Sequence, residues 1–146
     1  MEIYRPAAFY KGNPLPYAKG MAVRGAQGFV FLTGCIGEDP NTGTLPEGFG
    51  AQTRLALEDM KSRLEEFGTS LENICHMMWH IVGEFPNGVV GDPRNQERRE
   101  AEQEFWRKHC PEFVMGKNPP ASTLVIVPAL AEPGMLLEIT VIAAIP

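Results

Sequence analysis

The sequence predicts an α+β protein in which two helices pack on one face of a single sheet. Two segments carry apolar residues at helical spacing, and several apolar, β-branched runs are bounded by glycine and proline. These runs fall before, between and after the two helical segments, in the order ββ-α-β-α-ββ. A chain of 146 residues with this order and no internal repeat is expected to form one domain over 1–146.

The first part of the chain is expected to form a loop and then a hairpin. The segment 13–20, NPLPYAKG, contains two prolines and a glycine, which predict a defined loop around Tyr17. The next segment, MAVRGAQGFVFLTGCIG at 21–37, is typical of two strands joined by a glycine-bounded turn. Turn-forming residues fill 38–50 and separate this hairpin from the first helix.

Two helices are predicted at 51–68 and 98–110. In the first, Leu57, Met60, Leu64 and Phe67 recur at spacings of three and four, and Gly68 supplies a C-terminal stop. The second helix is charged on most sides, and one face is expected to present three residues at a spacing of four: Ala101, Phe105 and His109.

The remaining strands are expected at 71–85, 122–130 and 135–145. The first has a central run without charges that alternates poorly, as expected of a strand covered on both faces, with Trp79 toward the helices. Helices on one side would leave the other face of the sheet open, although the strands are apolar at nearly every position. This pattern predicts a homo-oligomer that closes the open faces, with ligand sites at the subunit boundaries.

The composition limits which kinds of partner and which cellular compartment are expected for this protein. Hydrophobic residues make up 44% of the chain and the net charge is -5, with basic residues scattered, so nucleic acid is not an expected partner. The three cysteines have no metal-type spacing and fit reduced thiols in a cytoplasmic protein. No secretory signal or membrane-length apolar run is present, so neither export nor membrane insertion is expected.

The pattern resembles the RidA family, also called YjgF/YER057c/UK114. The resemblance implies a chorismate-mutase-like fold, a homotrimer and an enamine or imine deaminase without a cofactor. The resemblance spans nearly the whole chain and rests on the order and spacing of five segments: PYAKGMAVRGAQGFVFLTGCIGEDPNTGTLP, AQTRLALEDMKSRLEEFGTSLENI, EFWRKH, PPASTLVIVPAL and LLEITVIAAIP.

One substitution separates this chain from the family. In RidA proteins an arginine follows the proline-alanine pair that opens the fifth strand, and it binds the substrate carboxylate. Here that position is Ser122, which cannot neutralise a buried carboxylate. Arg99 aligns with the asparagine that the family carries on the second helix, so it is the first candidate for a replacement anchor. The alternative for Arg99 is a solvated surface charge.

Other family positions carry over, and they imply a surviving polar cleft. Tyr17 matches the loop tyrosine that closes the pocket, while Thr33 and Gly34 match the serine-glycine pair that orients the substrate. Glu138 matches the last-strand glutamate, which in the family helps to position substrate and water. A lone carboxylate within an apolar strand is costly to bury, so a cleft role is favoured over a strand-edge residue in water.

Histidine and cysteine side chains are further candidates for the site. His80 replaces an aromatic or apolar residue of the family, and its imidazole can titrate near neutrality, so we assign it to the cleft. His76 shares a strand face with His80, but two histidines without a third ligand do not predict a metal site. Cys35 is expected to be a buried structural thiol because no base is evident beside it.

The leading hypothesis is a RidA-like hydrolase that deaminates a small imine, enamine or amino-substituted catabolite other than a standard 2-imino acid. Glu138, Thr33 and Gly34 would perform the chemistry, and Tyr17, Ser122, Arg99 and His80 would hold the substrate. The alternative is a non-catalytic trimer that binds or senses a metabolite.

Overall fold

The computed structural model describes residues 1–114 and 117–146. Within them the chain forms two α-helices and eight β-strands. The helices are α1 (Phe49–Glu66) and α2 (Pro93–His109), and the strands are β1 (Glu2–Tyr4), β2 (Ala7–Tyr10), β3 (Asn13–Ala18), β4 (Ala22–Arg24), β5 (Gly28–Ile36), β6 (Ile74–Val82), β7 (Ala121–Val127) and β8 (Leu137–Ile145).

Six strands form the main sheet, in the order β2-β3-β7-β6-β8-β5, and β1 pairs with β4 in a separate ribbon. At the centre, β6 runs parallel to β7 and antiparallel to β8. The helices cover one face of this sheet, where Leu57, Met60, Trp79, Trp106 and Ile139 form part of a core that is almost wholly removed from water. The predicted α+β layer with two helices on one face is confirmed.

The N-terminal region differs from the prediction in two ways. Tyr17 lies on strand β3 rather than in a loop, because Pro14 and Pro16, two residues apart, remove N–H groups from only one edge of the strand. The hairpin expected at 21–37 is also wrong: β4 pairs with β1, and β5 pairs with β8. The apolar β5 finds an equally apolar partner at the far end of the chain, which local turn signals cannot reveal.

The first helix ends one position earlier than its apolar pattern suggests. Leu57, Met60 and Leu64 are fully buried, whereas Phe67, expected on the same face, is 57% exposed. Phe67 follows the last helical residue, and Gly68 adopts a positive φ of 75° that redirects the chain. The glycine stop is therefore confirmed, and the fourth apolar position is not part of the core.

The face of the sheet away from the helices is less buried than the central strand's composition suggested. On β6, Met77, Trp79 and Ile81 are buried toward the helices, while the alternate residues are only half-buried. The expectation that β6 is covered on both faces is thus not met within one chain. We call this second surface the open face; it includes Phe31, which is 72% exposed.

No helix in the described parts of the chain, 1–114 and 117–146, combines the length and the apolar character that crossing a bilayer requires.

Candidate functional site

Strand register divides the predicted site residues between the two faces of the sheet. Glu138 lies directly opposite His80 of β6 on one side and opposite Ile36 of β5 on the other. Ser122 lies opposite Met77, a core residue that is 1% exposed. Directly opposite residues share a face, so Glu138 and His80 lie on the open face and Ser122 lies on the helix-covered face.

An irregularity in β5 lies at Thr33 and Gly34, next to the strand that carries Glu138. Leu32 pairs with Val141 but Cys35 pairs with Ile139, so β5 uses one more residue than β8 over this interval. Such a bulge bends the strand and changes the direction of the residues within it. Of the three residues expected to perform the chemistry, Gly34 approaches Glu138 closely, and Thr33 precedes it in the same bulge.

Glycine at position 34 is required by the close approach of the Glu138 side chain. A β-carbon on residue 34 would lie 2.6 Å from Cγ of Glu138 and closer still to its carboxyl group. Real β-carbons do not approach other atoms this closely, so any larger residue would displace the carboxyl. Gly34 thus sets where the carboxyl of Glu138 sits on the open face.

A salt bridge on α1 holds the bulge from behind, and the sequence interpretation did not identify it. Arg63 Nη1 donates a hydrogen bond of 3.2 Å to the carbonyl oxygen of Thr33. The same guanidinium binds Asp59 through both carboxylate oxygens, at 3.1 and 2.8 Å. The i,i+4 spacing of Asp59 and Arg63 was a visible signal for the pair, but not for its contact with the bulge.

Cys35 follows the bulge and is buried, as predicted. Its side chain is 0% exposed, and its Sγ donates a weak hydrogen bond of 3.7 Å to the carbonyl oxygen of Thr33. Burial raises the pKa of the Cys35 thiol to about 12. The thiol therefore stays protonated near neutral pH and is a poor nucleophile.

The histidines of β6 differ in their hydrogen bonding. His76 Nε2 lies 3.0 Å from Oγ1 of Thr123, whereas Nδ1 of His80 is buried and has no hydrogen-bond partner among the described residues. Both rings belong to the open face, as the spacing of four predicted. Across the described residues, no three side chains of His, Cys, Asp or Glu come together as a metal site would need.

A pocket of about 240 Å³ opens on the same face next to these histidines. Its lining includes Phe31 of β5, His76 and Met78 of β6, and Thr140 and Ile142 of β8. The pocket is mostly apolar, with the Thr140 hydroxyl and the His76 ring as its polar side chains. It continues the row of open-face positions that begins at Glu138 and His80.

The second group of predicted residues lies near the junction of β3 and β7. Ala18 pairs with Ala121, and Tyr17 and Ser122 are their chain neighbours, so both lie on the face opposite to that alanine pair. Tyr17 is 38% exposed and Ser122 is half-buried. Arg99 is half-buried on α2, in the helix layer over this face. Within one chain these residues do not meet Glu138.

The buried arginine of α2 is Arg98, which the sequence interpretation did not single out. Arg98 is 5% exposed, and its guanidinium carbon lies 4.3 Å from the ring centroid of Trp79. Nε donates to Oδ1 of Asn95 at 2.9 Å and Nη1 donates to Oε2 of Glu102 at 3.0 Å. Burial lowers the pKa of Arg98, and the carboxylate of Glu102 opposes that shift.

Known proteins match this chain along most of its length. A family described as Endoribonuclease L-PSP matches residues 13–145. A RutC family protein of Aquifex aeolicus is 38% identical over 67 residues, which are 46% of this chain and 51% of that protein. The match thus spans about half the length of this curated relative.

Solved structures agree with this match. Escherichia coli TdcF with bound serine is 27% identical, with a TM-score of 0.65 over 97% of this chain and 94% of that one. The Rid-family protein YyfB of Yersinia pestis is 21% identical, with a TM-score of 0.67 over 99% and 98% of the two chains. The YjgF gene product of E. coli is 24% identical, with a TM-score of 0.64 over 96% and 92%. The last two proteins are less than 25% identical to this chain, so their similarity shows the fold alone.

Proposed function

Because this chain belongs to the Endoribonuclease L-PSP family, the family of the RidA (YjgF) proteins, we propose that it is a hydrolase that deaminates a small imine, enamine or related amino-substituted catabolite. The observation that carries this proposal is the carboxyl of Glu138 held against Gly34 at the β5 bulge. A carboxylate fixed on a partly dry surface can take a proton from water as that water attacks a C=N carbon. Thr33 and the Gly34 backbone would orient the substrate.

The segregation of the site residues supports a site between subunits. Glu138, Gly34 and His80 lie on the open face, whereas Tyr17 and Ser122 lie on the other face. The two groups can line one cleft only if they come from different copies of the chain. We therefore propose a homotrimer with one RidA-like domain per subunit and three equivalent clefts, each formed by two neighbouring subunits.

Ser122 restricts the proposed substrate. The serine hydroxyl can form a hydrogen bond but leaves a substrate carboxylate without a counter-charge. The substrate is then neutral at that end, or Arg99 meets its carboxylate from α2. E. coli TdcF, 27% identical, is described with bound serine, which supports a small polar ligand of this general size.

A second candidate function is a non-catalytic trimer that binds a metabolite. The same Ser122 favours it, because loss of the charged anchor removes the family's usual substrate contact. Ribonuclease activity, as the family's description suggests, is disfavoured by the net charge of -5 and the scattered basic residues. The three free thiols fit the reducing cytoplasm that we propose as its location.

The proposed trimer can be tested with a substitution on the open face. Phe31→Glu puts a charge on an apolar side chain that is 72% exposed in one chain, and we expect the trimer to dissociate because the charge would be buried in the assembly. Phe67→Glu is the matched control, since Phe67 is 57% exposed after α1. Light scattering should give three times the mass of one chain for the parent and the control. A parent of monomer mass at micromolar concentration would contradict the trimer.

The proposed reaction can be tested by ammonia release from a panel of imines and enamines with neutral and acidic side chains. We expect release at least about tenfold faster than in buffer for one class, a small fraction of what enzymes usually achieve. Phe31→Glu is the control, because a dissociated chain lacks half of the cleft. No release from any substrate, together with saturable binding by calorimetry, would favour the binding protein.

A further inference from the structure

The geometry points to His80 as the proton donor that works with Glu138 as an acid–base pair in the proposed site. This inference rests on the proposed deaminase function and adds a residue that replaces an aromatic or apolar position of the family. Its basis is the placement of two titratable side chains on adjacent strands of one face.

Register brings the two side chains together. His80 and Glu138 are directly opposite in the antiparallel pair β6 and β8. Side chains at such positions have β-carbons roughly 4.5 to 5.5 Å apart and point to the same side. Gly34 lies on β5, the other neighbour of β8, and the carboxyl of Glu138 lies over this glycine. A substrate bound on the open face over β8 would therefore lie between the carboxyl and the imidazole.

The His80 ring has an unused polar atom. Nδ1 is buried and has no hydrogen-bond partner among the described residues. A buried ring nitrogen without a partner is costly, and such exceptions call for an explanation. Contact with a ligand or with Glu138 during the reaction would satisfy it.

The surroundings leave Glu138 as the main charged neighbour of His80. From β7 the opposite residue is Val125, which does not titrate. On β6 itself the nearest titratable group of this face is His76, which is held by Thr123. His76 is four residues away, so its ring is farther along the strand than Glu138.

The titratable groups beyond Glu138 lie next to the β5 bulge, on α1 and at Cys35. Asp59 and Arg63 neutralise each other behind Thr33, and Cys35 is a protonated thiol on the buried side. None of these groups is positioned to exchange a proton with His80. The proton transfers of the open face are therefore assigned to His80 and Glu138.

The pair balances the reaction without a further reactant. Glu138 takes a proton from a water molecule as the water oxygen bonds to the C=N carbon. At the same time the imine nitrogen receives the π electrons of the C=N bond, and protonated His80 gives this nitrogen a proton. The product is a neutral carbinolamine. Protonated Glu138 then protonates the amine as the C–N bond breaks, and neutral His80 accepts the hydroxyl proton, which leaves a carbonyl compound, ammonia and both side chains in their starting states.

The kinetic test is the pH profile of ammonia release. A base and an acid give a bell-shaped profile. His80→Gln is expected to lower kcat about 10²-fold, the lower end for a lost proton transfer, and to remove the alkaline limb while KM changes little. His80→Phe should do the same. His109→Gln, on α2 beside Glu58, is the matched control and should keep the parent profile.

A second measurement does not depend on turnover. The three histidines can be followed by ¹⁵N signals of their rings. Glu138→Gln is expected to shift the ring signals of His80, because the two residues are directly opposite on adjacent strands. The ring of His109 should not respond.

The outcomes separate the two proposals. If no substrate is deaminated but the His80 ring responds to Glu138→Gln, the pair stands and the deaminase proposal fails. If deamination occurs and His80→Gln keeps both the alkaline limb and kcat within about twofold, the pair is overturned while the deaminase stands. An unresponsive His80 ring would also overturn the pair.

Discussion

Replacing Glu138 with glutamine is expected to lower kcat for imine hydrolysis by about 10³-fold, within the range for loss of a positioned general base. Glutamine keeps the size and hydrogen bonding of the side chain but cannot accept a proton from water. The half-buried position and its neighbours on β5 and β6 should stay intact, so the melting temperature should be close to that of the parent. Stopped-flow or coupled ammonia assays at saturating substrate measure the effect.

A substitution at Gly34 tests the position of the Glu138 carboxylate rather than its ability to accept a proton. Gly34→Ala retains the carboxylate but forces it away, because the new β-carbon would overlap the Glu138 side chain. A displacement of about 1 Å can cost 10²-fold in rate. The matched control is Gly20→Ala, where a β-carbon meets nothing within 4 Å. Full activity in Gly34→Ala or in Glu138→Gln would remove Glu138 from the mechanism.

Much of the fold follows from local patterns. The spacing of Leu57, Met60 and Leu64 predicted α1, and Trp79 was correctly directed toward the helices. Each of these assignments depends on residues that are close in the chain. The family resemblance, carried by ordered segments along the chain, is confirmed by the match over 13–145.

The pairing of strands that are far apart in the chain could not be predicted from local sequence patterns. The partner of β5 is β8, more than a hundred residues away, whereas the sequence predicted a hairpin within 21–37. Register is equally remote: it decides that Glu138 faces His80 and that Ser122 faces the helix side. A family resemblance places such residues in one site, but it does not say which face of one chain each residue occupies.

Buried polar side chains were the other omission, because composition predicts that they are exposed. Gln52 is 1% exposed, and its amide joins the carbonyl groups of Pro46 and Gly134 to the N–H of Leu136. Arg98 is likewise a polar residue that is buried. The family alignment indicates its neighbour Arg99 as the functional arginine, and only the packing of α2 shows that Arg98 is the more buried of the two.

Arg98→Ala is expected to lower the free energy of unfolding by about 3 to 5 kcal/mol, the usual cost of removing one partner of a buried ion pair. The side chains of Arg98 and Glu102 are 6% and 13% exposed, so water cannot replace the lost guanidinium. Glu102 would keep the hydrogen bond from Trp106 Nε1, at 3.3 Å, but lose the guanidinium that balances its charge. Urea unfolding followed by tryptophan fluorescence measures the change.

The matched control is Lys61→Ala, which breaks an i,i+4 pair of 2.6 Å with Glu65 on α1. Those side chains are 29% and 58% exposed, so the loss of their ion pair should change stability far less than Arg98→Ala does. The double variant Arg98→Met with Glu102→Leu should recover most of the loss, because apolar residues of similar volume need no charge partner. A loss below about 1 kcal/mol in Arg98→Ala would mean that Glu102 is not dependent on Arg98.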